Sequence, residues 1–252
     1  MHAVITAAGL GTRMLPASKE IPKEMFPIPF QGNFKPVIQI IFEQLFDSGI
    51  RDFVIVVGKG KRVIEDHFTP DYDFISYLED KGKTKQAEDL RSFYQKIEGS
   101  NIAFVNQSEP RGFGDAVLRA EPFVEEDFIL VAADTILGKI PLEKMKINSF
   151  LTTEVEDPRP YGVVVVEGEK VLDVEEKPAY PKSNLIIVPY YHFNEEIFPA
   201  LREIKWEGEL QLTDGIKYLM RKGREFRAIK VNDVYDLGNV ENYITSLRKI
   251  LM

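Results

Sequence analysis

The chain opens with a strand-and-loop segment, residues 3–29, which reads AVITAAGLGTRMLPASKEIPKEMFPIP. Small and β-branched residues at positions 3–7 predict a buried parallel strand, and Gly9 and Gly11 come shortly after it. Glycines allow a tight turn whose backbone N–H groups point outward, which creates a concave site for an anion. Arg13 adds a planar guanidinium group suited to phosphate oxygens. The segment therefore predicts a phosphate site at the end of a strand.

The segment matches neither of two common phosphate-binding loops. A dinucleotide fingerprint needs a third glycine where Met14 stands, and a Walker loop needs Gly-Lys-Ser/Thr after four spacer residues. The chain instead continues to Pro22-Lys23-Glu24, in which Lys23 brings a second cation to the same anion. A Gly-x-Gly after a strand is a turn without a ligand roughly half the time. Its combination with Pro-Lys-Glu is far more specific.

The composition of the chain limits the classes of protein to which it can belong. The 252 residues include 40 Asp and Glu against 32 Lys and Arg, and the net charge of −8 argues against sequence-independent binding of nucleic acid. The chain has no cysteine, which excludes disulfides and thiolate zinc sites and favours an intracellular location. We find neither a signal peptide pattern nor an apolar run of membrane-spanning length. We expect a globular cytoplasmic protein with small phosphate ligands.

The first half of the chain alternates predicted strands and helices. A helix is predicted to begin at Pro36 and to stop at Gly49, and residues 63–98 are helical in composition with a solvated face. Buried strands are predicted at three further places, namely 53–57, 102–105 and 128–132. Strands and helices in this order indicate a parallel sheet covered on both faces. Because ligands gather at the carboxyl ends of parallel strands, the loops after three of the four strands should face one crevice.

The second half of the chain has a different pattern. Short strands with turn residues between them are predicted at 151–155, 163–167, 171–175 and 185–191. They favour a small additional sheet that is partly antiparallel. A helix at 212–222, a strand at 225–231 and a terminal helix at 240–251 complete the chain.

Two aspartates stand among apolar residues. Asp134 lies just after a predicted strand, and Asp236 lies in Val-Tyr-Asp-Leu-Gly. A carboxylate in such surroundings costs free energy unless it is paired or bound to a metal ion. Two carboxylates together with substrate phosphates commonly hold magnesium. From the residues alone, a helix cap is an alternative for each at roughly even odds.

The opening segment resembles, almost residue for residue, the nucleotide-binding motif of the sugar-nucleotide pyrophosphorylases, and within them the bacterial-type UTP:glucose-1-phosphate uridylyltransferases. The resemblance runs from Ala7 to about Asn239. It implies a Rossmann-like α/β fold with a mixed, mainly parallel central sheet, helices on both faces and a small additional sheet that carries the sugar site. We predict a single domain over 1–252, with a nucleotide-binding part at about 1–135 and a sugar-binding and C-terminal part at about 136–252.

The resemblance implies a role for each motif residue. Arg13 would hold the departing pyrophosphate, Lys23 the α-phosphate and Lys177 the attacking phosphate. Magnesium would lie on Asp134 and Asp236. The other implied contacts are to the nucleotide, from Ala7, Ala8, Gly9, Gly11, Thr12, Glu24, Gln107 and Gly112, and to the sugar, from Gly162, Glu176 and Lys177.

Gln107 is implied to read the edge of the base with its amide group. The alternative is an exposed glutamine at a strand end, at roughly one chance in four, since most glutamines are exposed. The chain also departs from the family pattern. Asp115 stands where relatives generally carry His, and Asn239-Val240 where a lysine often stands.

A third departure is Pro189-Tyr190-Tyr191, which stands where relatives carry Gly-Arg-Tyr. Because proline lacks a backbone donor, Pro189 predicts an edge strand or a bulge. The ring of Tyr190 leaves the choice of sugar open. Turned away, it leaves a glucose-shaped pocket; turned inward, it narrows the pocket or relaxes the choice among hexoses.

The implied activity joins UTP and glucose-1-phosphate into UDP-glucose and pyrophosphate by in-line attack on the α-phosphate. Mg²⁺ is the implied cofactor, the partners are these small molecules rather than nucleic acid or a membrane, and a homo-oligomer is expected. One alternative is a sister enzyme that uses dTTP or another sugar phosphate, such as N-acetylglucosamine-1-phosphate. The other is a catalytically silent regulatory protein, against which the intact set of charged motif residues argues.

Overall fold

The strand predicted at the start of the chain lies inside the sheet and is buried on both faces. In the computed structural model it spans His2–Ala7 (β1) and pairs in parallel with a strand on each side. Ile5 and Ala7 belong to one hydrophobic cluster, whereas Val4 belongs to another. Successive side chains of a strand point to opposite faces, so the two clusters lie on the two sides of the sheet.

The structure describes residues 1–251. The strands after β1 are β2 Pro27–Phe30, β3 Asn33–Pro36, β4 Asp52–Gly58, β5 Asn101–Gln107, β6 Phe128–Ala132, β7 Thr135–Leu137, β8 Ser149–Glu154, β9 Gly162–Glu167, β10 Lys170–Glu176, β11 Leu185–Phe193, β12 Arg227–Lys230 and β13 Val234–Asp236. The α-helices are α1 Val37–Asp47, α2 Arg62–His67, α3 Tyr72–Asp80, α4 Thr84–Glu98, α5 Phe113–Ala120, α6 Ile197–Glu203, α7 Leu212–Arg221 and α8 Val240–Leu251. Single turns of 3₁₀ helix lie at Thr12–Met14, Ala17–Lys19, Lys23–Met25, Glu121–Phe123 and Leu142–Lys144. Within the described residues, no helix is both long enough and apolar enough to cross a membrane.

Nine strands form one continuous sheet, in the order β5-β4-β1-β6-β11-β8-β12-β10-β9. The first four are parallel, and β11 joins them by pairing antiparallel to β6. The predicted mixed α/β fold is confirmed, and the strands predicted for a small additional sheet form the second half of the central sheet instead of a sheet of their own. Because β11 pairs with β6 through its last four residues and with β8 along most of its length, the later strands extend the central sheet. The far edge strand, β9, also pairs with β11, so this half of the sheet curls on itself.

Helices cover both faces of the sheet, as predicted. Side chains of α1 to α4 pack in the cluster on one side of β1, and side chains of α5, α6 and α7 pack in the cluster on the other side. The first cluster contains a group of aromatic rings around Phe42, whose ring centroid lies 4.7 Å from that of Phe53 and 5.1 Å from that of Phe68. The polar stretch after β4 thus forms a helical layer with one buried face and one solvated face.

His67, at the end of α2, lies against this aromatic group. Its ring stacks on Phe93 at 5.0 Å between centroids, and its Nε2 atom lies 3.0 Å from Gln39 Oε1. Burial lowers the pKa of His67 from 6.5 to about 4, and the nearby negative charge of Glu43 opposes this only in part. The imidazole is therefore neutral in the folded protein at neutral pH.

We predict that His67 makes the stability of the fold pH-dependent below neutrality. The unfolded chain binds a proton at this residue near pH 6.5 and the folded chain only near pH 4, so stability falls as the pH falls between these values. From pH 7 to pH 5 the free energy of unfolding should drop by about 2 kcal/mol more in the wild type than in His67→Gln. Urea unfolding at both pH values measures this difference, and parallel changes in the two proteins would contradict the prediction.

Candidate active site

A cavity of about 640 Å³ opens at the carboxyl ends of β1, β5 and β6. The three loops that were predicted to face one crevice do line it together. The end of β10, the middle of β11 and the start of β9 complete its wall. The predicted site residues that line the cavity are Ala8, Gly9, Gly11, Thr12, Arg13, Lys23, Glu24, Gln107, Gly112, Asp134, Gly162, Glu176, Lys177 and Asp236.

Ala7, by contrast, does not line the cavity. Its side chain is buried in the core, and its carbonyl oxygen accepts a hydrogen bond of 2.6 Å from Lys61 Nζ. The same ammonium group lies 2.8 Å from both carboxylate oxygens of Glu24, so this backbone group and this acid are already engaged. Sequence analysis missed Lys61. Its one signal was its position, in Gly-Lys-Gly-Lys at the end of the parallel strand β4.

In the first glycine loop, residues 9–11, the carbonyl group of Gly11 is engaged and the N–H groups of Leu10 and Gly11 are free. Gly11 has a φ of +67°, and its carbonyl oxygen accepts hydrogen bonds from Ser18 Oγ and from the backbone of Met14. The N–H groups of Leu10 and Gly11 donate to no other group of residues 1–251. A loop with free N–H groups at the end of a strand has the polarity that an anion requires.

Lys23 and Asp134 form an ion pair at the floor of the cavity, with Nζ 2.5 Å from Oδ2. Burial by itself would lower the pKa of Lys23, but the charge of Asp134 raises it above its usual value. Burial would likewise raise the pKa of Asp134, but the charge of Lys23 outweighs it and the pKa of that carboxyl is lowered. Both groups are therefore charged at neutral pH.

Asp236 is held by three hydrogen-bond donors. The backbone N–H of Gly238 donates to Oδ1 at 2.8 Å, while the Tyr161 hydroxyl and the Asn242 amide donate to Oδ2 at 3.0 and 2.5 Å. Burial and the neighbouring charge of Asp134 nevertheless raise the pKa of Asp236. Asn242 belongs to α8, so the terminal helix reaches into the site, a contact that the sequence did not suggest.

The two aspartates fit a site for a hard cation. A Cβ atom on Gly238 would lie 3.1 Å from Asp236 Oδ1 and 3.5 Å from Asp134 Oδ2, so both carboxylates face the same space. Nowhere in residues 1–251 do three or more His, Cys, Asp or Glu side chains form a group that could hold a metal ion. Two carboxylates without further protein ligands suit a cation that also binds water and phosphate oxygens.

A second glycine loop, residues 108–114, runs from the end of β5 into the start of α5 and is held against the segment before α7. Gly112 has a φ of +104°, and a Cβ atom there would lie 2.5 Å from the carbonyl oxygen of Leu210. Backbone hydrogen bonds of 2.8 Å from Leu210 to Arg111 and from Gly114 to Leu210 fix this approach. Residues 208–214, which read Gly-Glu-Leu-Gln-Leu-Thr-Asp, therefore support the second glycine loop and also lead into α7.

Gln107 is buried rather than exposed, so the alternative of a surface glutamine is wrong. It is 5% exposed and lines the cavity at the end of β5. Its Nε2 atom donates to the carbonyl oxygen of Gly112 at 3.1 Å and to Asp115 Oδ2 at 2.8 Å.

The opposite end of the cavity carries a Glu-Lys pair. Thr213 Oγ1 donates to Glu176 Oε2 at 3.1 Å, and Lys177 Nζ lies 3.5 Å from Glu176 Oε1. Lys177 has a φ of +43°, an uncommon conformation for a residue with a side chain. At Gly162 a Cβ atom would lie 3.2 Å from the side chains of Ile187 and Thr213, so glycine keeps this wall open.

The departure at Pro189-Tyr190-Tyr191 is accommodated by a bulge. The pairing of β11 with β8 shifts register between Val188 and Tyr191, as predicted for Pro189, although β11 lies inside the sheet and not at its edge. Tyr190 is fully buried, its hydroxyl donates to the carbonyl oxygen of Thr135 at 2.9 Å, and it does not line the cavity. Its ring turns away, and Pro189 and Tyr191 line the cavity instead.

The chain is similar to known proteins along its whole length. Residues 2–252 match the Nucleotidyl transferase family. A UTP–glucose-1-phosphate uridylyltransferase of Mycoplasma pneumoniae is 37% identical, with 96% of this chain and 89% of the relative covered. A crystal structure of UDP-glucose pyrophosphorylase complexed with UDP-glucose has a TM-score of 0.84 at 30% identity, covering 99% of this chain and 98% of that one. A UTP-bound UGPase from Acinetobacter baumannii has a TM-score of 0.83 at 27% identity, covering 98% and 92%.

We predict that the Lys61–Glu24 pair is required for stability. Lys61→Met leaves the Glu24 carboxylate buried without its partner, which should lower the free energy of unfolding by about 3–5 kcal/mol. The double variant Glu24→Gln/Lys61→Met should recover part of this loss, because it removes both charges. Lys170→Met, which breaks an exposed pair with Glu225, is the control and should lower the stability far less, because water screens the exposed charges. Equal losses in Lys61→Met and the control, measured by urea unfolding, would contradict the prediction.

Proposed function

The chain belongs to the nucleotidyl transferase family, and we propose that it joins UTP and glucose-1-phosphate to form UDP-glucose and pyrophosphate. The activity predicted from the sequence is confirmed by the relatives, whose names carry the same activity over almost the whole chain. One observation supports this site in particular. A single cavity holds a cationic glycine loop and two acids between a buried amide at one end and a Glu-Lys pair at the other.

We propose that the loop end of the cavity holds the triphosphate. Arg13 and the free N–H groups of Leu10 and Gly11 provide donors for the departing pyrophosphate. Lys23 is the donor for the α-phosphate, where negative charge must be neutralised when the sugar phosphate attacks in line. Because Asp134 holds the ammonium of Lys23 in a charged state at the floor, the donor is oriented before substrate binds. Catalysis then rests on positioning and charge neutralisation, without a covalent intermediate.

Asp134 and Asp236 are the residues that would hold a divalent cation, which we propose to be Mg²⁺. When bound, such an ion supplies positive charge to phosphate oxygens. The chain itself restrains the Asp236 carboxylate through Tyr161, Asn242 and the backbone of Gly238. These donors favour a single carboxylate orientation, which reduces the reorganisation needed during the reaction.

We propose that the Glu-Lys end of the cavity holds glucose-1-phosphate. Thr213 fixes one oxygen of Glu176, which leaves the other to accept hydroxyl hydrogen bonds. Lys177 is 56% exposed along its side chain and carries the positive charge for the sugar phosphate. Gly162 allows close approach of the ring to the backbone. Because Tyr190 turns into the core, its bulk does not narrow this pocket.

The alternatives to this function were a sister activity and a silent regulatory protein within the same fold. The silent protein is disfavoured because Arg13, Lys23, Lys177 and both aspartates line one cavity, as turnover requires. A cytoplasmic location and a homo-oligomeric state are part of the proposal, and light scattering on the purified protein measures the latter.

We expect a substrate panel to identify UTP and glucose-1-phosphate as the preferred pair. Pyrophosphate release is measured for UTP, dTTP, CTP, ATP and GTP, each with glucose-, galactose-, mannose- and N-acetylglucosamine-1-phosphate. A preference of about tenfold for any other sugar, which is about 1.4 kcal/mol of transition-state binding, would exclude the glucose assignment. Absence of turnover with every pair, while UTP still binds in equilibrium dialysis, would favour the regulatory protein.

We predict that both aspartates are needed for turnover and for metal binding. Asp134→Asn and Asp236→Ala should each lose at least about 100-fold in kcat, because phosphate charge is left uncompensated. Each should also weaken Mn²⁺ binding, monitored by electron paramagnetic resonance in the presence of UTP. Asp157→Ala, which removes an exposed acid paired with Arg159, is the control and should change neither quantity. Near-normal turnover in a folded Asp134 or Asp236 variant would refute the assignment.

A further inference from the structure

The amide group of Gln107 has both of its N–H bonds engaged inside the protein. Nε2 donates to the carbonyl oxygen of Gly112 and to Asp115 Oδ2. Both partners are acceptors only, since a carbonyl oxygen and an ionised carboxylate carry no proton to donate. Rotation of the amide by half a turn would place Oε1 against two acceptors and leave both without a donor. The structure therefore permits one orientation of this side chain.

Asp115 is itself fixed. It lies in the first turn of α5 and is 5% exposed, and Arg119, one turn further along the helix, donates to its Oδ1 atom at 2.7 Å. Each carboxylate oxygen thus has its own donor, Arg119 for Oδ1 and Gln107 for Oδ2. The guanidinium group pairs with the carboxylate and restrains it from turning. A buried carboxylate with a hydrogen-bond donor on each oxygen is rigid, and it fixes the orientation of the amide that it contacts.

The other atom of the amide is available to a ligand. Within residues 1–251, Gln107 Oε1 accepts no hydrogen bond, and it is not among the buried polar atoms that lack a partner. The atom is therefore accessible, and Gln107 lines the cavity. A fixed acceptor at this position requires an N–H donor on the ligand.

We propose that Asp115 is a positioning residue that selects the base, by holding Gln107 so that Oε1 faces the cavity as a hydrogen-bond acceptor. This inference rests on the proposed function, in which the cavity holds a uridine nucleotide. Uracil carries a hydrogen on N3 and can donate it to Oε1. Cytosine has a lone pair on N3, which would meet Oε1 as a second acceptor. Thymine has the same N3–H as uracil, so this device separates UTP from CTP and does not separate UTP from dTTP.

A purely structural role for Asp115 predicts a different result. An acid in the first turn of a helix stabilises that helix through its dipole, and an i,i+4 pair with arginine adds a little more. Loss of those effects would lower the stability of the protein without changing its choice of base. The ratio of the kcat/KM values for UTP and CTP therefore separates the two roles.

The test compares the wild type with Asp115→Asn. Arg119 favours the asparagine oxygen as its acceptor, which leaves the NH₂ group facing Gln107, so only the Gly112 carbonyl still favours the original orientation of the glutamine amide. We expect the ratio of kcat/KM for UTP to that for CTP, measured with saturating glucose-1-phosphate, to fall at least tenfold, with CTP use rising. In Gln107→Ala the amide is absent, and the ratio of kcat/KM for UTP to that for CTP should fall by a similar factor. Asp66→Asn, which removes the acid of an exposed i,i+4 pair with Arg62 on α2, is the control and should keep the wild-type ratio.

A second measurement uses only the wild type, so its outcome does not depend on whether the variants fold. N3-methyl-UTP lacks the N3–H, and its kcat/KM should lie at least tenfold below that of UTP. Equal use of UTP and N3-methyl-UTP, or an unchanged ratio in folded Asp115→Asn, would overturn the inference and leave the proposed function standing. A wild type that turns over no uridine nucleotide would overturn the proposed function and this inference together.

Discussion

Pairs of buried charges hold together the loop end of the cavity, where we propose that the triphosphate binds. Asp134 lies just after β6, Lys61 lies just after β4 and the Ala7 carbonyl ends β1, and the segment with Lys23 and Glu24 lies between them. Lys23 pairs with Asp134, and Glu24 pairs with Lys61, which in turn binds the Ala7 carbonyl. An unpaired charge at these depths would cost several kcal/mol, so each contact constrains the next. These contacts join the ends of three parallel strands. They also hold Lys23 in place in the cavity before substrate binds.

The strand β11 connects this end to the Glu-Lys end of the cavity. Because neighbouring residues of a strand point to opposite faces, Tyr190 enters one hydrophobic cluster and Tyr191 the other, where it also lines the cavity. Proline cannot donate a ladder hydrogen bond, and the register of β11 against β8 shifts around Pro189 without changing this alternation. The ring of Tyr190, which stands where relatives carry an arginine, thus packs in the core, and the shape of the pocket does not depend on it.

The sequence predicted those parts of the structure whose causes are local. The strand at 128–132 and the helix at 240–251 have the predicted bounds, because composition and spacing decide them. The glycine loops were found for the same reason. By contrast, β11 joins β6 through a pairing between segments far apart in the sequence, and no local pattern reports it. Lys61 and Asn242 were missed for a similar reason: each contacts an acid that is distant in sequence or lies on another element, and nothing beside either residue marks it as part of a site.

Asn242 also changes how the terminal helix should be understood. Its hydrogen bond to Asp236 and that of Ser246 to the Asp236 carbonyl tie α8 to the two-stranded β7–β13 pair, which begins directly after Asp134. Because Asp236 pairs with Thr135, the residue after Asp134, both aspartates are positioned at the same end of this small unit, and the helix is its support. Burial and the charge of Asp134 raise the pKa of Asp236, so the donors of Tyr161, Gly238 and Asn242 are what favour the ionised form of its carboxyl. The terminal helix, of which the sequence predicted only the position, is thus part of the electrostatic arrangement on which the proposed reaction depends.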